Sequence, residues 1–225
     1  MSASSSSRPP LDRAAPTDVA TAAFALGCFW GPDARFGAVD GVVRTCVGYA
    51  GGTTAAPTYD AIGDHIETVW VEYDPTRVDY TDLLLLFWAN HDPTRAPFKR
   101  QYQPALFPQT DSQAEQARAS RTAREHEDGT LTTEVIEEAS FHRAEPYHQN
   151  YKLRRHAVLC DAVRQIYPTE EAFIDAPSAT LVNGYVGGHR APRHLDDDLP
   201  QLSLPKEAAQ TLRTLVDRRH DASSP

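Results

Sequence analysis

The sequence holds one methionine, Met1, and only three cysteines in 225 residues. Three thiols are too few for a disulfide-stapled scaffold, and their scatter over positions 28, 46 and 160 does not fit a structural zinc site. Positive charge is also scarce. The 22 Lys and Arg stand against 31 Asp and Glu, a formal net charge of −9. Phosphate neutralisation needs clustered cations, so no nucleic-acid partner is expected. Long apolar runs are missing as well: the longest, residues 83–89, falls far short of the roughly 20 residues that span a bilayer. No membrane association is expected, and no apolar segment after Arg8 or Arg13 suggests a signal peptide. What is present is a 40% apolar and 24% charged composition, which fits an acidic globular protein expected in the cytoplasm.

Residues 1–18 are rich in Ser, Pro and Ala and read as a mobile tail. A buried strand over 19–26 runs into Gly27-Cys28-Phe29-Trp30-Gly31-Pro32-Asp33, where Pro32 and Asp33 suit the first turn of a helix. Strands are expected over 42–47, 67–73, 103–107 and 132–136. Helices are expected from Asp79 to about Asn90, from a capping box at Thr110 and Gln113 to about Glu127, and from Tyr147 to about Ile166. The block over 83–88 is apolar all round, which predicts burial on several sides. Ala208, Leu212 and Leu215 mark a last amphipathic helix. The order β-α-β-β-α-β with helical additions points to an α+β fold. The expected form is a ferredoxin-like split βαβ two-layer sandwich with extra helices and a long coil-rich C-terminal part. A catalytic domain is expected over 19–190, with 191–225 as an extension.

Cys28 follows a strand where a helix begins, so backbone N–H groups there would favour a thiolate. A small buried hydrophobe is the competing reading. Phe29 and Trp30 beside it form either an apolar wall or ordinary core. Gly27 and Gly31 on either side allow close approach of a ligand to the backbone.

The pentapeptide Gly27-Cys28-Phe29-Trp30-Gly31 resembles the signature of the type A peptide methionine sulfoxide reductases, and further motifs follow in the same order. They are Val47-Gly48-Tyr49-Ala50-Gly51-Gly52, Pro57-Thr58-Tyr59, His65-Ile66-Glu67, Val71-Glu72-Tyr73-Asp74-Pro75, His91-Asp92-Pro93-Thr94, Gln101-Tyr102 and Ala144-Glu145-Pro146-Tyr147-His148-Gln149. The resemblance implies thiol-dependent reduction of methionine S-sulfoxide, free or in proteins, through a cysteine sulfenic acid. It implies Cys28 as nucleophile, Glu67 as proton donor, Tyr59 and Tyr102 as hydrogen-bond donors to the sulfoxide oxygen, and Phe29 and Trp30 as the pocket for the substrate methyl group. Neither a metal nor a bound cofactor is implied. The reductant would be an external thiol, a thioredoxin-like protein or dithiothreitol in vitro, and the enzyme would act as a monomer.

The sequence departs from that family in two places. The stretch before Gln101-Tyr102 reads Arg95-Ala96-Pro97-Phe98-Lys99-Arg100, basic and without the usual upstream carboxylate, and Gln103 replaces a common arginine. Either Lys99 or Arg100 steers the site towards acidic contexts, or the chain is a weakly catalytic or regulatory binder of oxidised methionine. No cysteine follows Cys160, so Cys160 and Cys46 are the only internal candidates for resolving the sulfenic acid; a buried structural role is the alternative for both. A cysteine hydrolase pairing Cys28 with His148 is a third possibility, without a supporting motif.

Overall fold

The computed structural model describes residues 8–223. Strand β1 (Ala20–Ala25) alternates its small and large side chains across the pleat: Ala22 and Phe24 face one side, Ala23 and Ala25 the other. It leads into α2 (Trp30–Phe36), which follows the N-terminal α1 (Pro10–Ala14). Strands β2 (Val42–Ala50) and β3 (Ile66–Tyr73) form an antiparallel pair, and α3 (Tyr80–Trp88) follows behind the reciprocal cap of Asp79 and Asp82. Strand β4 (Ala105–Phe107), α4 (Asp111–Asp128), β5 (Glu134–Val135) and β6 (Phe141–Arg143) complete one six-stranded sheet, ordered β5-β4-β1-β3-β2-β6. Every pairing is antiparallel except β4 with β5. Because β3 lies between β1 and β2, the unit β1-α2-β2 is a split βαβ in an α+β fold.

One sheet face carries Phe24, Val69 and Val71 under α2, α3 and α4; Phe24 stacks on Phe36 at 4.7 Å and lies against Phe87. The other face carries Ala23, Ala25, Ile66 and Phe107 under Trp70, Ile136 and Phe141. The buried apolar block of α3 is one-sided after all. Leu83, Leu84 and Phe87 are buried, whereas Leu85 is 65% exposed.

The C-terminal part is helical and not coil-rich. It contains α5 (Tyr151–Arg154), α6 (Ala157–Arg164), α7 (Glu170–Ile174), α8 (Pro177–Gly187), α9 (Leu195–Asp198) and α10 (Lys206–Ser223). These helices share one core of Leu153, Val163, Phe173, Val182, Leu212 and Val216, so no boundary separates 191–223 from what precedes it. The expected single helix from Tyr147 to Ile166 is broken twice. Asn150 takes a left-handed φ of 53°, and His156 is extended at φ −113° and ψ 89°. Helix α8 docks on α2 at two glycines: a Cβ added to Gly37 would lie 2.7 Å from Thr180, and one on Gly184 3.0 Å from Ala38.

The expected tail also needs correction where it can be seen. Residues 1–7 of it lie outside the described residues, but α1 is anchored. Asp12 accepts from Ser178 N at 2.9 Å, Ser178 Oγ at 2.7 Å and Tyr167 Oη at 2.6 Å. The physical reason is a missing cap: Ala176, at the α8 N-cap position, has no side-chain acceptor for the first-turn amides, and Asp12 supplies one from a distant segment.

Candidate active site

Gly27, at φ +95°, turns the chain from β1 so that Cys28 emerges at the start of α2. The thiol is open to solvent on one side, and the Trp30 N–H donates to its sulfur. Glu67 reaches the same point from β3. Its position in the strand shares the parity of Val69 and Val71, which turns it to the face covered by α2, and it is 1% exposed. One carboxylate oxygen accepts from Phe29 N at 3.0 Å, the other from Gln101 Nε2 at 3.0 Å, and the Cys28 thiol donates to the same group.

Burial pushes the Glu67 carboxyl above its ordinary pKa, and the bonds from Phe29, Gln101 and Cys28 only partly offset this. The Cys28 thiol is also pushed up, first by burial and then by the charge and hydrogen bond of Glu67. The Trp30 N–H and the more distant Lys152 act the other way and lose. The expected helix-terminus thiolate is therefore not the resting state. In the free protein the proton stays on sulfur and is shared with Glu67.

Phe29 is buried against Val47, and its ring lies 6.0 Å from that of Tyr49. Trp30 lies flat on Tyr151, centroids 3.7 Å apart at 4°. Its indole N–H donates to His148 Nδ1 at 3.1 Å, which requires the neutral Nε2–H tautomer; burial lowers the His148 pKa and favours that neutral form. Tyr102 ends a short turn and its hydroxyl hydrogen-bonds that of Tyr59. Tyr59 is held from behind, its N–H donating to Glu145 Oε1 at 2.9 Å while Tyr49 Oη donates to Oε2 at 2.8 Å. Cys28, Glu67, Tyr59, Tyr102, Phe29 and Trp30 thus converge on one cleft.

Cys46 and Cys160 do not join them. Cys46 pairs in register with Trp70 and faces the opposite side of the sheet from Val47 and Tyr49, where burial drives its thiol up to about 12. Cys160 is packed in the C-terminal helical core. All three cysteines are free.

Sequence reasoning missed several supporting residues. Asp33 stands in the first turn of α2 as expected, but it is buried there, and it accepts from Thr45 Oγ1 at 2.6 Å, Asn183 Nδ2 at 2.9 Å and the Asn150 backbone. Burial raises its pKa to about 6. Gln149 substitutes for a strand neighbour, its amide bonding both N and O of Val47 at 2.8 Å. Their signal was the fixed spacing of polar residues inside the motifs, which gave no hint of what each would touch. In the altered loop, Arg100 pairs with Glu134, and the buried Gln103 donates to the Thr132 and Pro104 carbonyls. With this loop Gln101 donates to Glu67 and Tyr102 packs beside Tyr59. Among the described residues no cluster of three His, Cys, Asp or Glu could hold a metal ion.

The site therefore combines a reachable thiol, a buried acid in contact with it, two phenolic donors and an apolar aromatic wall. That set suits nucleophilic attack on a small, polar-tipped apolar group whose leaving oxygen needs a proton. The family model described as peptide methionine sulfoxide reductase matches residues 20–180. A peptide methionine sulfoxide reductase of Drosophila melanogaster is 39% identical over 172 residues, covering 75% of this chain and 69% of the relative. Peptide methionine sulfoxide reductase A5 of Arabidopsis thaliana is 37% identical over 195 residues, covering 81% and 75%. Among solved structures, methionine sulfoxide reductase A of Corynebacterium diphtheriae aligns with a TM-score of 0.56 at 31% identity, covering 63% of this chain and 77% of that one.

Proposed function

The chain belongs to the peptide methionine sulfoxide reductase family and is an enzyme of thiol-dependent methionine sulfoxide reduction; from that premise we propose roles for its residues. Cys28 is the nucleophile. Its sulfur donates an electron pair to the sulfoxide sulfur while Glu67, in its acid form, protonates the sulfoxide oxygen. A Cys28–substrate S–S bond forms as the S–O bond breaks, and the oxygen departs as water after taking a second proton from the site. A water molecule then attacks the Cys28 sulfur and returns that proton. The S–S bond breaks with its electron pair going to methionine, and Cys28 is left as a sulfenic acid. The step balances as one thiol and one sulfoxide giving one sulfenic acid and one thioether. Two external thiol groups then return Cys28 to the thiol, yielding a disulfide and water.

One observation carries this reading: the Cys28 thiol, the Phe29 amide and the Gln101 amide all donate to a single buried carboxyl. Such a group can take the nucleophile's proton and return it a few ångströms away. The hydrogen-bonded hydroxyls of Tyr59 and Tyr102 supply donors for the sulfoxide oxygen, and Phe29 with Trp30 supplies an apolar seat for the methyl group. The substituted 95–100 loop still delivers Gln101 to Glu67, which favours turnover over mere binding.

The electron donor is a thioredoxin-like protein or a small dithiol acting directly on Cys28, since Cys46 and Cys160 sit in other packing environments. A reducing cytoplasmic setting suits three free thiols. The test is reduction of methionine S-sulfoxide with dithiothreitol. Methionine should form from the S epimer and not the R, and Cys28→Ser should abolish it. Mass spectrometry of the substrate-oxidised enzyme should find Cys28 sulfenic acid. A stoichiometric disulfide from Cys28 to Cys46 or Cys160 would replace the one-cysteine cycle by a two-cysteine one.

A further inference from the structure

The substituted loop ahead of Gln101 places Phe98 at the mouth of the site, 82% exposed, more than any other large apolar side chain among the described residues. The ring is fixed against the catalytic cleft. It packs on Tyr102 with centroids 5.1 Å apart, and Tyr102 is hydrogen-bonded to Tyr59. Tyr59 lies 4.7 Å from the His148 ring, and His148 lies 4.2 Å from Tyr147. Tyr59 and Tyr147 are themselves exposed. Three of the five exposed large apolar residues, Phe98, Tyr59 and Tyr147, thus form one arc that contains Tyr59 itself and is bridged by Tyr102, while Leu85 and Val158 stand elsewhere.

An aromatic ring left in water forgoes the favourable transfer of its apolar surface out of water. A contiguous rim of such rings beside a reacting centre marks a surface covered in the complex. Of the loop's two cations next to Gln101, Arg100 is already paired with Glu134, whereas Lys99 is exposed beside Phe98, so a peptide with acidic flanks is the arm that separates an apolar from an acidic preference.

We propose that Phe98 is a specificity-determining residue that receives an apolar side chain flanking the oxidised methionine. The preferred substrate class is then a methionine sulfoxide within an apolar stretch of unfolded polypeptide, above the free amino acid and above sulfoxides in acidic stretches. Phe98 acts on the flank alone, and chemistry stays with Cys28 and Glu67; the inference rests on that assignment.

The test uses four substrates with dithiothreitol as reductant: three blocked tripeptides with methionine S-sulfoxide between two Leu, two Ser or two Glu residues, and free methionine S-sulfoxide. The Leu peptide should exceed the Ser peptide in kcat/KM by about tenfold, through KM, as expected for one apolar side chain gaining a ring to pack on. In Phe98→Ala the Leu-to-Ser ratio should collapse towards one, and Phe98→Leu should restore most of it. Thermal melts should stay close to the parent, since the side chain is solvent-exposed. The proposal is overturned by a wild-type preference for the Glu peptide, by a Leu-to-Ser ratio that Phe98→Ala leaves intact, or by an equal loss on all four substrates, which would make Phe98 a prop for Tyr102. Failure of the wild type on all four substrates would instead remove the underlying assignment of the site.

Discussion

The indole of Trp30 donates to Nδ1 of His148 across 3.1 Å, so the wall of the cleft is held by a bond that exists only while that imidazole is neutral. Burial lowers the His148 pKa, which secures the neutral form at pH 7. Protonation adds a hydrogen at Nδ1 and turns an acceptor into a donor facing a donor. A histidine whose folded pKa is lowered loses stability for the protein as pH falls through its unfolded value, about 6.5. KM should therefore rise on acidification below that value. His148→Gln can keep an acceptor and cannot protonate, so its KM should be flatter in acid. At neutral pH it should be within about two- to tenfold of the parent, the span of one hydrogen bond. Steady-state kinetics from pH 5 to 8 check this, and parallel profiles would remove His148 from the positioning of Trp30.

Glu67→Gln should lower kcat by about 10²- to 10⁴-fold, the usual span for a general acid. The parent's activity should fall as pH rises far enough for the Glu67–Cys28 pair to lose its shared proton, because the acid form of Glu67 can then no longer arise, and this limb should change in the variant. A second signature is independent of turnover. The charge and bond of Glu67 hold the Cys28 thiol up, so Glu67→Gln should move thiol alkylation by iodoacetamide to lower pH.

Gln101→Leu removes an amide that favours the carboxylate of Glu67. The Glu67 pKa should rise further, and the alkaline limb should move to higher pH with the fold intact. A pH–rate profile displaced the other way would contradict the assigned hydrogen bond.

Asp33 makes the opposite kind of statement about stability. Its folded pKa of about 6 lies above the 3.8 of a free carboxyl, so folded protein binds the extra proton between these values. Stability should fall as pH rises from about 4 to 6, by up to ~3 kcal/mol for a shift of about two units. Asp33→Asn should flatten that slope. Asp33→Ala leaves Thr45, Asn183 and the Asn150 amide without their acceptor and should cost about 2–4 kcal/mol. Urea melts of the three proteins at pH 4.5 and 7 measure both effects.

Asp12→Ala should destabilise by about 1–2 kcal/mol, the range for removing a helix cap, although it lies in a Ser/Pro/Ala-rich segment. Hydrogen exchange should rise first at Ser178 and its neighbours in the opening turn of α8.

What could be read from the sequence follows from where the information sits. The α3 cap at Asp79 and Asp82 and the strand before Cys28 are local, and each was legible; the residues that meet in the cleft stand in motifs, which is why the sequence names them together. Asp33 takes the expected place in the first turn of α2, but its burial was not legible, because its partners Thr45, Asn150 and Asn183 come from other elements. The break at Asn150 depends on a left-handed backbone angle that helical periodicity does not report. The thiolate expectation failed for a similar reason. A helix start is visible in sequence, whereas the carboxyl that overrides it comes from β3.

The α2–α8 crossing at Gly37 and Gly184, tied by Asp33 to Asn183, has a consequence for the order of synthesis. Cys28 leaves the ribosome early, yet the helix that seats it must wait for a partner 150 residues downstream. On a nascent chain the thiol has neither its buried acid contact fully framed nor its helix docked. The finished setting of Cys28 thus requires the chain to have been made through Asn183, so the contact that seats the nucleophile closes late and over a long sequence separation.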